Sequence, residues 1–134
     1  MTVLKAALAL ALIATPAAAA PRACPIGLHP ATTAELFFGR NVGQELGVSE
    51  EAWRDFLDQE VSTRFADGLS VSDVYGQWRD THGQFVREPS KAVFLVLKGS
   101  PTERRNLQAV RDAYRRRFNQ SSVLLVRERA CVSF

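Results

Sequence analysis

The stretch Ala92-Val93-Phe94-Leu95-Val96-Leu97 decides the fold of this sequence, because six apolar residues follow one another with no polar residue between them. Such a run predicts a central strand that is covered on both faces. The strand is expected within Phe85 to Lys98, where Pro89 interrupts its first part. Gly99-Ser100-Pro101 then leads into a predicted helix over Thr102 to Asn119.

Apolar residues spaced three and four positions apart predict two amphipathic helices. The first helix opens at Val48-Ser49, where Ser49 is a good N-cap and the acidic residues after it suit the helix dipole. Asp67-Gly68 ends this helix. Its apolar stripe consists of Trp53, Phe56, Leu57, Val61 and Phe65. The stripe of the second helix consists of Leu107, Val110, Tyr114 and Phe118.

Three further strands are predicted from apolar, aromatic and β-branched content. They comprise Thr33 to Arg40, Leu69 to Arg79 and Ser122 to Phe134. Gly76 predicts a bulge in the second of them. Asn41 to Gly47 is interpreted as a loop, and Asp80 to Gln84 as a turn.

The resulting order is strand, helix, strand, strand, helix, strand. Two βαβ halves with right-handed crossovers, joined by a hairpin, predict an α+β protein with a ferredoxin-like βαββαβ fold. This fold is a four-stranded antiparallel sheet with two helices on one face, and its central strands are the first and the third. Residues 20–134 are expected to form one such domain, since the whole chain has only 134 residues.

The N-terminal segment is interpreted as a signal peptide. Lys5 is followed by a short apolar run, a break at Thr15-Pro16 and several small residues, and cleavage after Ala19 fits this order best. The alternative is an uncleaved anchor, but the apolar run is too short to span a membrane. Lipidation of Cys24 is rejected because Pro21-Arg22-Ala23 is a poor context for it. A secreted or periplasmic protein without a stable membrane anchor follows.

The mature chain keeps two cysteines, Cys24 and Cys131. In an oxidising compartment an even number favours a disulfide, and the alternative is two unpaired thiols. In the chain-entropy model a bridge over so long a loop stabilises by roughly 4–5 kcal/mol. Neither cysteine lies in a CxxC pair, and His29 and His82 are the only histidines, so neither a metal site nor a cofactor is predicted.

The charge excludes one class of function. The full chain carries +3, and loss of residues 1–19 removes only Lys5, which leaves 16 basic against 14 acidic residues, or +2. So small an excess is not typical of a nucleic-acid-binding protein. The arginines of the second helix, Arg104 to Arg117, are interpreted as a solvated face, because cations suit the C-terminal end of a helix. The alternative is a weak contact with acidic polymers or lipid head groups.

One sheet face has no helix to cover it. Phe37 or Phe38 and part of the Ala92–Leu97 run should project there. If that surface is broadly apolar, a homodimer through the open sheet face is the expected way to bury it.

The segment Asp73 to Trp78 contains the first candidates for a ligand site. In an extended strand the side chains of Asp73, Tyr75 and Gln77 point to one face and those of Val74, Gly76 and Trp78 to the other. A carboxylate, a phenol and an amide on one face are suited to orient a small polar ligand, and Gly76 permits close approach. The alternative is a wet strand face whose polar groups are only solvated or ion-paired.

Cations nearby indicate a second type of ligand. Arg87 and Lys91 flank Pro89, and Arg40 follows the first strand, so an anion is the small molecule that these three would bind. Surface ion pairs are the alternative. His82, in the predicted turn, is considered as a general base, but no nucleophile elbow accompanies it and no catalytic residue is assigned.

Many spaced residues together resemble one family. They include Leu36-Phe37-Phe38-Gly39-Arg40, Gly76-Gln77-Trp78-Arg79, Arg87-Glu88, Ser90-Lys91, Gln120-Ser121-Ser122-Val123 and Cys131-Val132-Ser133-Phe134. Over Cys24 to Phe134 the sequence is similar to the domain-of-unknown-function family 3574, small exported bacterial proteins. The resemblance implies no activity, because that family has none assigned.

Two classes of function follow. The first is an exported module that binds a small ligand or a protein without a cofactor. The alternative is a small cofactor-free enzyme of the ferredoxin-like dimer type that uses His82, Asp73 or Tyr75. A concave site with a strongly shifted carboxylate would favour the enzyme, and a flat apolar face the binding module.

Overall fold

A computed structural model of the chain describes residues 23–134, so the predicted signal peptide lies outside the described residues. Four long strands are present: β1 (His29–Gly39), β4 (Ser70–Arg79), β5 (Phe85–Leu97) and β6 (Leu124–Val132). Two short strands, β2 (Asn41–Val42) and β3 (Glu45–Leu46), form a hairpin after β1. The helices are α1 (Glu50–Phe56), which continues as a π-helical segment over Leu57–Ser62, and α2 (Pro101–Phe118).

The long strands form one antiparallel sheet in the order β4-β5-β1-β6. The central strands are therefore the first and third long strands, as expected. Leu36 of β1 stands opposite Val93 of β5 and Leu125 of β6, which fixes the register across the middle of the sheet. An α+β protein with two helices and a four-stranded antiparallel sheet is thus confirmed.

Each helix begins directly after a serine that caps it: α1 follows Ser49, as predicted, and α2 begins at Pro101, one residue before its predicted start. The Ser49 hydroxyl accepts a hydrogen bond from the Ala52 N–H at 3.1 Å. Ser100 and Glu103 form a reciprocal capping box at the start of α2. Asn119, in the left-handed conformation with φ of 51°, ends α2. The first helix is shorter than predicted and stops at Ser62, before the turn at Gly68.

The hydrophobic core lies between both helices and one face of the sheet. Alternate residues of β1 and β5 enter it, and Phe38 packs against the rings of Trp53, Phe56 and Tyr114. Since both helices lie on that side, β5 is not covered on both faces: Phe94 projects from the other face and is 42% exposed. The expectation of a doubly covered strand was wrong for this reason.

Three local predictions are corrected by the strand register. Pro89 does not interrupt β5. The pairing with β1 ends at Ser90, so the N–H that proline lacks is not needed for a hydrogen bond to β1. Gly76 is not in a bulge, because it pairs with Glu88 in an unbroken register. The predicted loop after β1 contains the β2–β3 hairpin.

The predicted disulfide is present. Cys24 and Cys131 are joined with their Cα atoms 5.6 Å apart, across a sequence separation of 107 residues. The bridge ties the segment before β1 to the end of β6. Of the helices in residues 23–134, neither is long and apolar enough to cross a membrane.

Candidate functional site

A cleft of about 660 Å³ opens on the sheet face that the helices leave uncovered. Its floor is formed by β4, β5 and β1 near the C-terminal end of β1, and its walls by the β2–β3 hairpin and the loop over residues 119–122. This hollow is named the Glu88 cleft below, because Glu88 is the only charged side chain among the described residues that line it.

The floor of the Glu88 cleft is a pit in the sheet. Gly39 stands opposite Ser90, and Gly76 stands opposite Glu88, so two residues without side chains face two polar ones. A β-carbon at Gly39 would collide with the Glu88 carboxyl, and one at Gly76 would lie 3.4 Å from Ser90 Oγ. These four residues form the polar pit, which exists because the glycines leave the space for it.

The Glu88 carboxyl is largely buried and has no cationic partner among the described residues. The residue is only 8% exposed, and its Oε2 accepts a hydrogen bond from the Asn41 N–H at 3.1 Å. Its other oxygen, Oε1, accepts no hydrogen bond from any described residue and is open to solvent in the cleft. Burial raises the pKa of Glu88, and the Asn41 N–H offsets only part of that effect. The cleft therefore holds a carboxyl oxygen available to a ligand and a proton affinity above the usual value.

Other groups give the cleft its shape. The Gln120 side-chain amide donates to the Asn41 backbone carbonyl at 2.6 Å, which fastens the loop after α2 to the hairpin. Phe37 and Trp78 contribute aromatic surface, and Trp78 is 45% exposed. The cleft thus combines aromatic surface and polar walls with one charged group at its floor, and such a mixture of apolar surface and a few polar groups is typical of small-molecule sites.

The predicted residues of β4 divide between the two faces as expected. Asp73 and Gln77 stand opposite Lys91 and Arg87, on the side where the helices pack. Gly76 and Trp78 face the Glu88 cleft, while Tyr75 and Gln77 line its rim along the edge of the sheet. The structure therefore does not bring the carboxylate, the phenol and the amide together around one cavity.

Arg40 and Lys91 lie beneath the helices in an ion-pair cluster. Glu50 joins them, with Arg40 Nη1 at 2.5 Å from Oε1 and Lys91 Nζ at 2.9 Å from Oε2. Asp73 Oδ1 lies 2.5 Å from Lys91 Nζ. Both cationic residues are only 6% exposed, and each of these buried charges is paired with at least one carboxylate. An anion at these cations would have to displace Glu50 or Asp73.

The charges of the cluster shift one another's proton affinities. The hydrogen bond from Lys91 lowers the pKa values of Glu50 and Asp73. Burial would lower the pKa of Lys91, but its hydrogen bonds to the two carboxylates outweigh that effect and raise it. Arg87 lies outside the cluster and donates to Gln77 Oε1 at 2.7 Å.

His82 occupies the turn between β4 and β5, as predicted. Its backbone N–H donates to Asp80 Oδ1 at 2.9 Å, and the residue lines a smaller polar cleft of about 430 Å³. Asp80 lines the same cleft, whereas Asp73 and Tyr75, the other residues of the predicted enzyme site, do not. Residues 23–134 bring together no group of three metal-ligating side chains.

Sequence reasoning missed Glu88 and Ser90 as site residues. In the sequence they resemble polar residues on the wet face of a strand, and only the register places each opposite a glycine. A signal was present, because all four residues of the polar pit occur among those that carry the family resemblance.

Solved structures of a phage SAM lyase share this fold. The complex with S-methyl-5'-thioadenosine has a TM-score of 0.60 and 20% sequence identity, and the alignment covers 78% of this chain and 90% of the other. The apo state has a TM-score of 0.57 and 21% identity, with 86% and 97% covered. At such low identity the likeness extends to the fold alone.

Sequence comparison is more specific. No curated protein matches the chain. The sequence profile described as "Protein of unknown function (DUF3574)" matches residues 33–134, which include every residue of the polar pit and of the ion-pair cluster. The chain therefore belongs to the DUF3574 family.

Proposed function

We propose that the protein binds a small neutral or cationic molecule in the Glu88 cleft, without a cofactor. The observation that carries this proposal is the largely buried Glu88 carboxyl, whose Oε1 is open to the cleft and accepts no hydrogen bond from any described residue. A hydrogen-bond donor or a positive charge on the ligand would satisfy it. Anion binding at Arg40, Arg87 and Lys91 is the less favoured proposal, because Arg40 and Lys91 already form ion pairs with carboxylates.

The energetic argument supports a functional role for Glu88. Burial of the ionised Glu88 carboxyl opposes folding, as its raised pKa indicates, and groups with perturbed pKa values cluster at functional sites. The aromatic surfaces of Phe37 and Trp78 suit a planar or apolar part of the same ligand. The proposed ligand is therefore amphipathic, with a donor group directed at the floor.

Binding is tested by calorimetry on the purified, disulfide-bonded protein. The probes are S-methyl-5'-thioadenosine, adenosine and spermidine, chosen as planar donors and a flexible cation. The variant is Glu88→Gln, and the control is Glu35→Gln, a strand residue that lies outside the cleft. Saturable binding that Glu88→Gln weakens and Glu35→Gln preserves supports the proposal. Binding unaffected by Glu88→Gln would contradict it.

We propose a cofactor-free enzyme as the second candidate, on two observations. Burial raises the pKa of Glu88, which suits a carboxyl that accepts and returns a proton nearer neutral pH. The fold is shared with structures described as a phage SAM lyase. Incubation with S-adenosylmethionine and detection of S-methyl-5'-thioadenosine by mass spectrometry tests this candidate, with Glu88→Gln as the inactive control. Absence of product above the buffer rate contradicts it.

We also propose that the fold is ferredoxin-like. The element order and the strand order β4-β5-β1-β6 support this topology.

We propose that the protein is exported, and the Cys24–Cys131 disulfide supports an oxidising compartment. Mass spectrometry of the protein from the periplasm or medium should find Ala20 at the N-terminus, and an intact Met1 contradicts cleavage.

We propose in addition that the open sheet face mediates a homodimer. Three exposed apolar residues support this: Phe94, Leu124 and Val126 are 42%, 59% and 38% exposed on that face. Light scattering should give twice the mass of one chain, and the double variant Phe94→Asp, Val126→Asp should give the mass of a single chain. A monomeric protein at high concentration contradicts this proposal.

A further inference from the structure

The outer edge of the sheet at β6 is unoccupied among the described strands. β6 pairs with β1 from His29 to Phe37, and no strand of residues 23–134 pairs with its other side. Its nine residues contain neither proline nor glycine, and the register with β1 is unbroken. A regular free edge offers a row of backbone donors and acceptors to another extended segment.

The side chains along this edge are basic. Arg127 and Arg129 stand opposite Ala34 and Thr32 of β1, so both project from the sheet face on which the helices pack. Both are exposed, and neither forms an ion pair with any residue that the structure describes. β6 therefore presents two unpaired cations beside its free backbone groups.

Helix α2 adds cations on the same side. Arg104, Arg111 and Arg115 are seven and four residues apart, which places them along one flank of the helix. Arg111 Nε donates to the Val123 carbonyl at 3.0 Å, so this flank lies beside the start of β6. Asp112 is the acidic residue of this stretch, and it is engaged by Gln108 and by Arg115 at 3.6 Å. We call the surface formed by the three helix arginines and the two of β6 the basic edge: Arg104, Arg111, Arg115, Arg127 and Arg129.

We propose that the basic edge binds an extended acidic peptide segment, which adds a strand to β6. Alternate side chains of an added strand project to one face, so a carboxylate at every second position would meet the arginines. A second copy of this chain fits poorly, because Glu128 projects from the opposite face and β6 therefore offers no carboxylate to Arg127 and Arg129 in any register. The partner is therefore an acidic segment of another protein.

Fluorescence anisotropy with a labelled peptide of alternating Val and Glu tests the proposal on the disulfide-bonded protein. The expected result is saturable binding that Arg127→Glu with Arg129→Glu weakens by more than about tenfold. The same variant should bind the matched Val–Lys peptide instead. The control is Arg105→Glu with Arg116→Glu, which makes the same charge change on α2 outside the Arg104, Arg111 and Arg115 flank.

A second probe separates strand addition from general charge attraction. The Val–Glu peptide methylated at alternate backbone nitrogens keeps its charges but cannot form the ladder, and it should lose binding. Equal binding of the methylated peptide overturns the proposal. Binding to vesicles of anionic phospholipid with none to the peptide also overturns it, as does an unchanged affinity in the Arg127→Glu, Arg129→Glu variant.

Discussion

The Glu88 carboxyl lies across Gly39, in the space that a β-carbon at position 39 would occupy. Placement of the buried acid thus depends on a glycine of the neighbouring strand, which stands opposite Ser90. Gly39 also presents its carbonyl to the Tyr114 hydroxyl at 2.8 Å. One glycine therefore positions a group of the cleft on one face of β1 and accepts a hydrogen bond from the core on the other.

Gly39→Ala should displace the Glu88 carboxyl and destabilise the protein by about 1–3 kcal/mol, since the extra methyl overpacks the pit. Urea unfolding measures the loss. In the double variant with Glu88→Ala the cost of the methyl should largely disappear, because the clash needs both side chains. Additive effects of the two substitutions would show that Glu88 does not lie over Gly39 in solution.

Glu88→Gln should stabilise the protein at neutral pH. Burial raises the folded-state pKa of Glu88 above its ordinary value of 4.5, so the ionised form opposes folding. As pH falls through that raised pKa, the folded wild type takes up a proton first and gains stability. The advantage of Glu88→Gln in melting temperature should therefore shrink between neutral pH and about pH 4.5. A constant difference would contradict the raised pKa.

Much of the fold was predictable from local signals. Ser49 marked the start of the first helix, Gly99-Ser100-Pro101 led into the second, and the apolar run over residues 92–97 marked a central strand. The polar pit was not predictable in the same way, because its members are distributed over three strands. Register alone brings Gly39 and Gly76 to the two polar residues of β5.

The ion-pair cluster shows a different limit of sequence reasoning. Arg40 and Lys91 were predicted as cations free to bind an anion, but burial and pairing are properties of the tertiary structure. Lys91 faces the first turn of α1 because it stands opposite Phe38, on the core side of the sheet. Nothing in the spacing of Lys91 and Glu50 along the chain indicates that they meet.

Glu50→Gln combined with Asp73→Asn should lower the melting temperature above about pH 4.5 and have less effect below it. Hydrogen bonds from Lys91 lower the folded-state pKa values of both carboxyls, so their contribution is present above their ordinary values and is lost as acid protonates them. Asp58→Asn, an exposed residue without an ion pair in the described structure, is the control. Equal loss at every pH would contradict the linkage.

Removal of the disulfide should cost more than any single surface contact. Cys24→Ser with Cys131→Ser opens a loop of 107 residues, for which the chain-entropy model gives roughly 4–5 kcal/mol. Urea unfolding of the variant, compared with the wild type in oxidising and reducing buffer, measures this difference. Reduced wild type and variant should coincide. A variant as stable as the oxidised protein would show that the bridge does not constrain the chain.

Tyr114→Phe should destabilise the protein by about 1–2 kcal/mol, because it removes a hydrogen bond from inside the core. The Tyr114 hydroxyl donates to the Gly39 carbonyl at 2.8 Å, and burial raises the pKa of Tyr114, so the donor proton is held throughout the neutral range. Tyr75→Phe is the matched control, because Tyr75 is 69% exposed. Since Gly39 also lies under Glu88, Tyr114→Phe should weaken any ligand bound in the cleft as well. Equal stability of the two phenylalanine variants in urea would exclude a contribution from the Tyr114 hydroxyl.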